Sequence, residues 1–241
     1  MKRYIKYIVF GLIALVLMVV CVLKIREVSE ETISYMPITN KTIVLDAGHG
    51  GIDSGASSND KTIYEKNINL SITLKLKELI EASGGLVILT RDDDSSLYEE
   101  SENKTIRQKY NENIKNRKKI VDESDADMFI SIHLNSFTES KYSGAQTFYP
   151  EGMNDSKILA KSIQDELKRV VDNTNNRVIK PRDNLYLLKN CKMPSVLIEC
   201  GFLSNNKEAN LLNDEKYQDK IAWSIYAGIQ KYLGENGYKN E

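Results

Sequence analysis

From residue 42 onward, short apolar runs alternate along the chain with longer amphipathic stretches. The short runs are rich in β-branched residues and predict five strands, at 42–47, 85–90, 127–133, 145–150 and 195–200. The longer stretches have the apolar spacing of helices, at 64–83, 104–123, 155–172 and 215–233. Several predicted strands are apolar on successive residues, which is typical of strands covered on both faces. We therefore expect one three-layer α/β domain, with helices flanking a largely parallel central sheet.

The beginning of the chain has a different pattern, an uncharged apolar run from Tyr7 to Leu23 that follows three basic residues. As a helix this run would be about 25 Å long, near the lower limit for crossing a bilayer. A cleaved signal peptide is the alternative, although no small-x-small cleavage site follows the run. The excess of basic residues before it favours an N-terminus inside the cell and an exported body. We predict one N-terminal transmembrane helix that acts as a signal anchor, or else a signal peptide.

Composition narrows the possible partners and the kind of fold. The chain has 33 basic and 34 acidic residues, so its charge is balanced and we expect no nucleic acid partner. Three cysteines do not make a disulfide framework. Cys191 and Cys200 flank apolar residues, and we expect both to be buried small side chains.

Polar residues stand at the ends of three predicted strands: His49, His133 and Glu199. Ligands of open α/β sheets bind outside the carboxyl ends of the strands, so we expect the three side chains at one edge. "GHGGIDSG" lacks the spacing and the lysine of a phosphate loop. Both histidines of the chain fall at strand ends, and neutral imidazole is the commonest ligand of zinc-like ions. Metal ligation is therefore favoured over a structural role for both.

Two glutamates complete the candidate chemistry. A catalytic zinc usually takes three protein ligands, so a carboxylate is needed beside two histidines. Glu65 begins a predicted helix, on the same face as Ile68 and Ile72. It is either that third ligand or a first-turn glutamate whose charge interacts favourably with the helix dipole. Glu199 follows three apolar residues, which predicts a buried carboxylate with a partner or a raised pKa. It is either a general base or one half of a buried ion pair.

Five fragments in order, "IVLDAGHGG", "YEK", "TR", "FISIHLNS" and "SVLIECGFLSN", resemble the zinc-dependent N-acetylmuramoyl-L-alanine amidases of bacteria, the amidase_3 family. The resemblance covers residues 42 to 234. It implies one Zn²⁺ per chain, held by His49, Glu65 and His133, with Glu199 as the catalytic carboxylate. It also implies a mixed, mostly parallel sheet flanked by helices. The implied substrate is peptidoglycan, at the amide that joins N-acetylmuramic acid to the L-alanine of the stem peptide.

Further residues of these fragments are candidates for supporting roles. We expect Asp46, Asn135 and Ser136 to orient ligands or to contact substrate. Arg91 and Arg117 match positions that are often basic in the family, and both a surface and a structural role are open for them. The chain departs from the family pattern at Ala47, where many relatives have proline, and at Leu134, where the family has a small residue.

The resemblance is strongest to the sporulation branch of the family, because "RDNLYLLKN" precedes "SVLIECGFLSN". It implies a spore-forming bacterium and a role in spore cortex maturation, where muramic δ-lactam is formed. The protein would be exported, anchored in the membrane by its first helix, and would face the cell wall or spore cortex. A site of two histidines and one carboxylate binds metal weakly enough that we expect an activating partner protein that stabilises zinc binding.

Two other functions are compatible with the residues, a zinc peptidase that cuts stem-peptide bonds and a wall-binding protein with a vestigial site. The predicted division of the chain is a signal anchor or signal peptide over 1–25, a polar spacer over 26–41, the catalytic domain over 42–234 and a polar tail over 235–241.

Overall fold

The computed structural model describes residues 2–34, 36–99, 101 and 103–237 of the chain. These fall into two compact units, Met1–Pro37 and Ile38–Glu241. The first unit is helix α1, Lys2–Ser34, which continues through most of the predicted polar spacer. Its stretch Ile5–Lys24 has a mean hydropathy of 2.7 and is long and apolar enough to span a membrane, a property that signal sequences share.

The second unit is built on a six-stranded sheet in the order β2-β1-β3-β6-β4-β5. The strands are β1 Thr42–Ala47, β2 Leu86–Leu89, β3 Met128–Asn135, β4 Gln146–Tyr149, β5 Lys180–Pro181 and β6 Ser195–Phe202. Four of the five neighbouring pairs are parallel, and β4 pairs with β6 antiparallel. The expectation of a mixed, mostly parallel sheet is confirmed.

Helices cover both faces of this sheet. They are α2 Glu65–Ala82, α3 Ile106–Glu123, α4 Asn154–Val170, α5 Asn206–Leu212 and α6 Glu215–Gly237. Helices α2, α4 and α6 pack on one face, where Leu45 and Ile130 are fully buried. Their sequence neighbours Val44 and Phe129 point to the other face, against Val121 of α3. Successive strand residues thus serve opposite layers, which explains their uninterrupted apolar runs.

All five predicted strands and four predicted helices of this unit are present, within a few residues of the expected bounds. Cys191 and Cys200 are buried free cysteines, as expected. Ile38 is also fully buried in the core, so the second unit begins four residues before the predicted boundary at residue 42. Helix α6 extends to Gly237, into the predicted tail, and residues 238–241 lie outside the described residues.

Candidate metal and catalytic site

Three side chains from separate elements meet at the carboxyl edge of the sheet. His49 lies in the loop after β1, Glu65 is the first residue of α2, and His133 lies near the end of β3. One ligand atom from each lies within 4.8 Å of the others. Oε1 of Glu65 is 3.2 Å from Nε2 of His49 and 3.1 Å from Nδ1 of His133. The structure thus brings together the three residues that the sequence nominates as metal ligands.

The loop after β1 contains close approaches that only glycine allows. A Cβ on Gly48 would overlap the imidazole of His133, and one on Gly55 would lie 2.6 Å from Oε2 of Glu65. His49 itself has φ 64°, a left-handed conformation that is uncommon outside glycine. Backbone hydrogen bonds in both directions between Gly50 and Asp53 close the turn and hold this conformation.

Asp53 fixes the orientation of His49. Its Oδ2 lies 2.8 Å from Nδ1 of His49, so the imidazole presents Nε2 toward Glu65. Burial opposes protonation, yet hydrogen bonds to Asp53 and Glu65 raise the pKa of His49 to about 10. Carboxylates commonly orient metal-binding histidines in this way. Sequence reasoning did not single out Asp53, although a carboxylate four residues after a candidate ligand was the available signal.

Glu65 is almost fully buried, with 3% of its surface exposed. Its Oε2 accepts a hydrogen bond from the backbone N–H of Ala56 at 2.7 Å, and its Oε1 accepts one from that of Leu134 at 2.9 Å. Burial raises its pKa, but hydrogen bonds with His133 and His49 outweigh burial and hold the pKa well below the usual range. Leu134 contributes through its backbone, so its departure from the family pattern leaves this bond intact.

The donor set suits a zinc ion. Two imidazoles and one ionised carboxylate converge on one point, which is a common set of protein ligands in catalytic zinc sites. The residues present therefore fit the metal that the resemblance implies.

Glu199 lies on β6, beside His133 of β3 and Gln146 of β4 in the strand register. Its side chain is 12% exposed, and its Oε1 is 3.9 Å from Nη1 of Arg182. Its Oε2 is buried and has no hydrogen-bond partner among the described residues. Burial raises the pKa of this carboxyl, and the nearby Glu65 adds to the shift while His133 opposes it. A shielded carboxylate with one free oxygen is suited to accept and return a proton.

Asp46 lies beneath the loop and does not belong to the metal group. It is fully buried and accepts hydrogen bonds from Thr90 Oγ1 at 2.7 Å, Ser131 Oγ at 2.7 Å and Arg117 Nη1 at 3.0 Å. Burial alone would raise its pKa, but Arg117 and the hydroxyl donors keep the pKa below its usual value. Asp46 is therefore an ionised anchor for the buried arginine.

The two arginines whose roles the sequence left open are both buried and hold the loop. Arg117 donates to the carbonyl oxygens of Ala47, at 2.8 Å, and His49. Arg91 donates to those of Ala47 at 2.8 Å and Gly48 at 3.1 Å. Burial and the neighbouring Arg117 lower the pKa of Arg91 to about 10. Their contacts are structural and position the segment that carries His49.

Asn135 and Ser136 lie next to the site rather than in it. Ser136 is exposed, and its N–H donates to Oδ1 of Asn135 at 2.8 Å. Asn135 lines a cavity of about 440 Å³ beside Glu199. Its other walls are two arginines and four aromatic rings: Arg177, Arg182, Phe137, Tyr142, Phe148 and Phe202. Sequence reasoning missed both arginines, which come from the segment between α4 and β6.

Comparison with known proteins agrees with the geometry. Residues 43–231 match the family model described as N-acetylmuramoyl-L-alanine amidase. A germination-specific N-acetylmuramoyl-L-alanine amidase of Bacillus subtilis is 41% identical over 202 residues, which are 84% of this chain and 84% of that protein.

Solved structures show the same fold. The CwlD amidase of Clostridioides difficile, solved in complex with the GerS lipoprotein, has 72% identity and a TM-score of 0.80 over 80% of this chain and 98% of that one. The catalytic domain of CwlV, an N-acetylmuramoyl-L-alanine amidase from Bacillus (Paenibacillus) polymyxa var. colistinus, has 34% identity and a TM-score of 0.66 over 80% of this chain and 98% of that one. The chain therefore belongs to the N-acetylmuramoyl-L-alanine amidase family, Amidase_3.

Proposed function

We propose that this chain is a zinc-dependent hydrolase that cleaves the amide bond between N-acetylmuramic acid and L-alanine in peptidoglycan. The observation that carries the proposal is the convergence of His49, Glu65 and His133 within 4.8 Å. A buried carboxylate, Glu199, lies beside His133 on the neighbouring strand. Membership of the amidase family supports the choice of bond.

The metal ligands are already oriented for binding. Asp53 holds His49 with Nε2 facing the other two donors, and backbone N–H groups hold both oxygens of Glu65. Zinc bound by His49, Glu65 and His133 would supply a Lewis acid that polarises the substrate carbonyl and activates water. Because these donors are fixed by hydrogen bonds before binding, little reorganisation is required of the site.

Glu199 moves the proton. Its free Oε2 accepts a proton from the attacking water and then gives it to the nitrogen of L-alanine as the C–N bond breaks. Hydrolysis leaves a carboxylate on the lactyl group of muramic acid and a free amine on the L-alanine of the released stem peptide. The raised pKa of the Glu199 carboxyl brings it closer to neutral pH, where one group can serve as both base and acid.

Product analysis tests the bond. The full-length chain, loaded with zinc in detergent, is incubated with purified peptidoglycan and the released fragments are identified by mass spectrometry. Stem peptides that begin with a free L-alanine are the expected product. Shortened peptides that remain attached to muramic acid would instead identify a zinc peptidase. Binding without any cleavage would indicate a wall-binding protein with a vestigial site.

We further propose a role in spore cortex maturation, in which the cleaved muramic acid is converted to muramic δ-lactam. The names of two relatives support this, a germination-specific amidase and the CwlD amidase. Deletion of the gene tests the role through the muropeptide composition of the spore cortex. Loss of muramic δ-lactam is expected, and an unchanged cortex with altered vegetative wall would contradict it.

We also propose that the protein is exported, membrane-anchored through α1, and activated by a partner protein that stabilises zinc. The apolar stretch of α1 supports the anchor. The relative solved in complex with a lipoprotein supports a partner. Fractionation of cells tests the anchor, since the full-length chain should stay in the membrane fraction. Zinc titration with and without a copurified partner tests activation, and equal affinities would contradict it.

A further inference from the structure

The cavity beside Glu199 lies next to the proposed reaction centre. Asn135 brings one wall to it, two residues beyond His133 on β3, and Phe202 brings another, three residues beyond Glu199 on β6. Arg182 lies between the cavity and Glu199, because it lines the cavity and its Nη1 is 3.9 Å from Oε1 of Glu199. Groups attached to a substrate amide at Glu199 would therefore reach this cavity.

Arg177 is held rigidly in the wall of the cavity. Its Nε donates to the carbonyl oxygen of Ser143 at 2.7 Å and its Nη1 donates to Oε1 of Gln146 at 3.1 Å. The guanidinium also stacks on the ring of Phe202, 4.4 Å from its centroid. An arginine ordered by such contacts loses little conformational freedom when it binds an anion.

Arg182 supplies a second guanidinium with available donors. It lies over the ring of Phe148, 5.1 Å from the centroid. Among the described residues, Glu199 is the one carboxylate within 4.0 Å of its guanidinium, and the 3.9 Å separation is too long for a hydrogen bond. The side chain is 40% exposed, so a ligand in the cavity can reach it.

Two guanidinium groups above a floor of aromatic rings suit one kind of ligand. A carboxylate forms paired, charge-assisted hydrogen bonds with guanidinium, and a short aliphatic chain attached to it packs on aromatic rings. A cavity of about 440 Å³ holds a segment the size of one or two amino acid residues. The stem peptide of the proposed substrate continues from L-alanine into residues that carry free carboxylates.

We propose that this cavity is the binding subsite for the free carboxylate of the stem-peptide residue that follows L-alanine, with Arg182 and Arg177 as its anion-binding groups. The inference rests on the proposed function, since it identifies what the enzyme recognises beyond the scissile amide. It makes Arg182 a specificity-determining residue, because the arginine contacts the substrate rather than the reacting atoms.

A matched pair of substrates tests the subsite. Both are muropeptides with the same stem, and in one the residue after L-alanine has a free carboxylate while in the other it has a carboxamide. The zinc-loaded full-length chain should favour the carboxylate form on the order of tenfold in kcat/KM. In Arg182→Gln the ratio between the two substrates should fall toward one, and Arg177→Lys should reduce it partly. Arg182 is also close to Glu199, so its replacement can change the hydrolysis of both substrates. The readout is therefore the ratio of kcat/KM for the two substrates at one pH, in which effects common to both cancel.

Lys180→Gln is the matched control. It removes a positive charge from the same edge of the sheet, but Lys180 is exposed and does not line the cavity. Its ratio should equal that of the wild type. Equal hydrolysis of both substrates by the wild type, or an unchanged ratio in Arg182→Gln, would overturn the subsite while leaving the proposed function intact.

A binding measurement separates this inference from the proposed function. Calorimetric titration of the full-length chain with the peptide product, in carboxylate and carboxamide forms, requires no catalysis. Tighter binding of the carboxylate form that is lost in Arg182→Gln supports the subsite even if no amide is cleaved. Equal binding of both forms would count against the subsite even in an active enzyme.

Discussion

Replacement of Arg117 by methionine is expected to destabilise the domain and its metal loop together. Arg117 and Asp46 are 4% and 0% exposed, and their side chains are 3.0 Å apart. Removing the arginine leaves a buried carboxylate without its cation, which costs about 3–5 kcal/mol in the free energy of unfolding. The carbonyl oxygen of His49 also loses its donor, while that of Ala47 keeps Arg91. For a domain of this size, the melting temperature should fall by about 6–20 °C.

The double variant Asp46→Asn/Arg117→Met provides the control. It removes both charges, and the asparagine oxygen still accepts from Thr90, so the double variant should recover a substantial part of the stability lost in Arg117→Met. Denaturant titration of all three proteins measures the differences, and zinc titration of the same samples measures the effect on His49. The reasoning is refuted if Arg117→Met unfolds within about 1 kcal/mol of the wild type, or if the double variant is less stable than the single one.

Three further outcomes are expected. Gly55→Ala should lose zinc binding, because the new methyl group would lie 2.6 Å from Oε2 of Glu65. Gly152→Ala, which also has a positive φ but nothing within 4 Å, should bind zinc normally, and equal zinc content in both variants would contradict this. Zinc affinity should rise with pH by up to about tenfold per unit for each proton displaced, because the pKa of His49 is raised to about 10 and metal binding requires the neutral imidazole. A pH-independent Kd would count against that coupling. Asp46 has a folded-state pKa below its ordinary value of 3.8, so it contributes stability above that pH and loses it as the pH falls further. The difference in unfolding free energy between wild type and Asp46→Asn should therefore narrow in acid.

Much of the fold could be predicted from the sequence because its main elements carry strong patterns. The strands are uninterrupted β-branched runs, and α2 has an apolar stripe that also placed Glu65 on the buried face. This buried face of α2 continues from Ile72 through Leu76 to Ile80, both fully buried. Leu79, one position before Ile80, is only partly buried. Strand β5 has two residues and α5 has seven, too few to show a period, and neither was predicted.

The candidate site could be predicted where a polar residue follows or interrupts an apolar strand, and less so where tertiary contacts decide. His49, His133 and Glu199 stand out because polar residues interrupt apolar runs. Arg117 is different, since it lies on α3, whose sequence is mostly polar and does not reveal which residues are buried. Arg182 directly follows the two-residue edge strand β5 and lines the cavity beside Glu199, so no local pattern marks it.

The most direct test of the proposed roles measures zinc content and amide hydrolysis on the same preparations of wild type and Glu199→Gln. The proposal is that Glu199 transfers the proton and that His49, Glu65 and His133 bind the metal. At saturating zinc we predict about one zinc per chain in both proteins, with hydrolysis slower by about 10²–10⁴-fold in Glu199→Gln. Glu139→Gln, an exposed carboxylate in the loop after β3, should match the wild type in both measurements. Near-normal hydrolysis by zinc-loaded Glu199→Gln would contradict the role of Glu199. Zinc content that is unchanged in His49→Ala/His133→Ala would contradict the metal site itself.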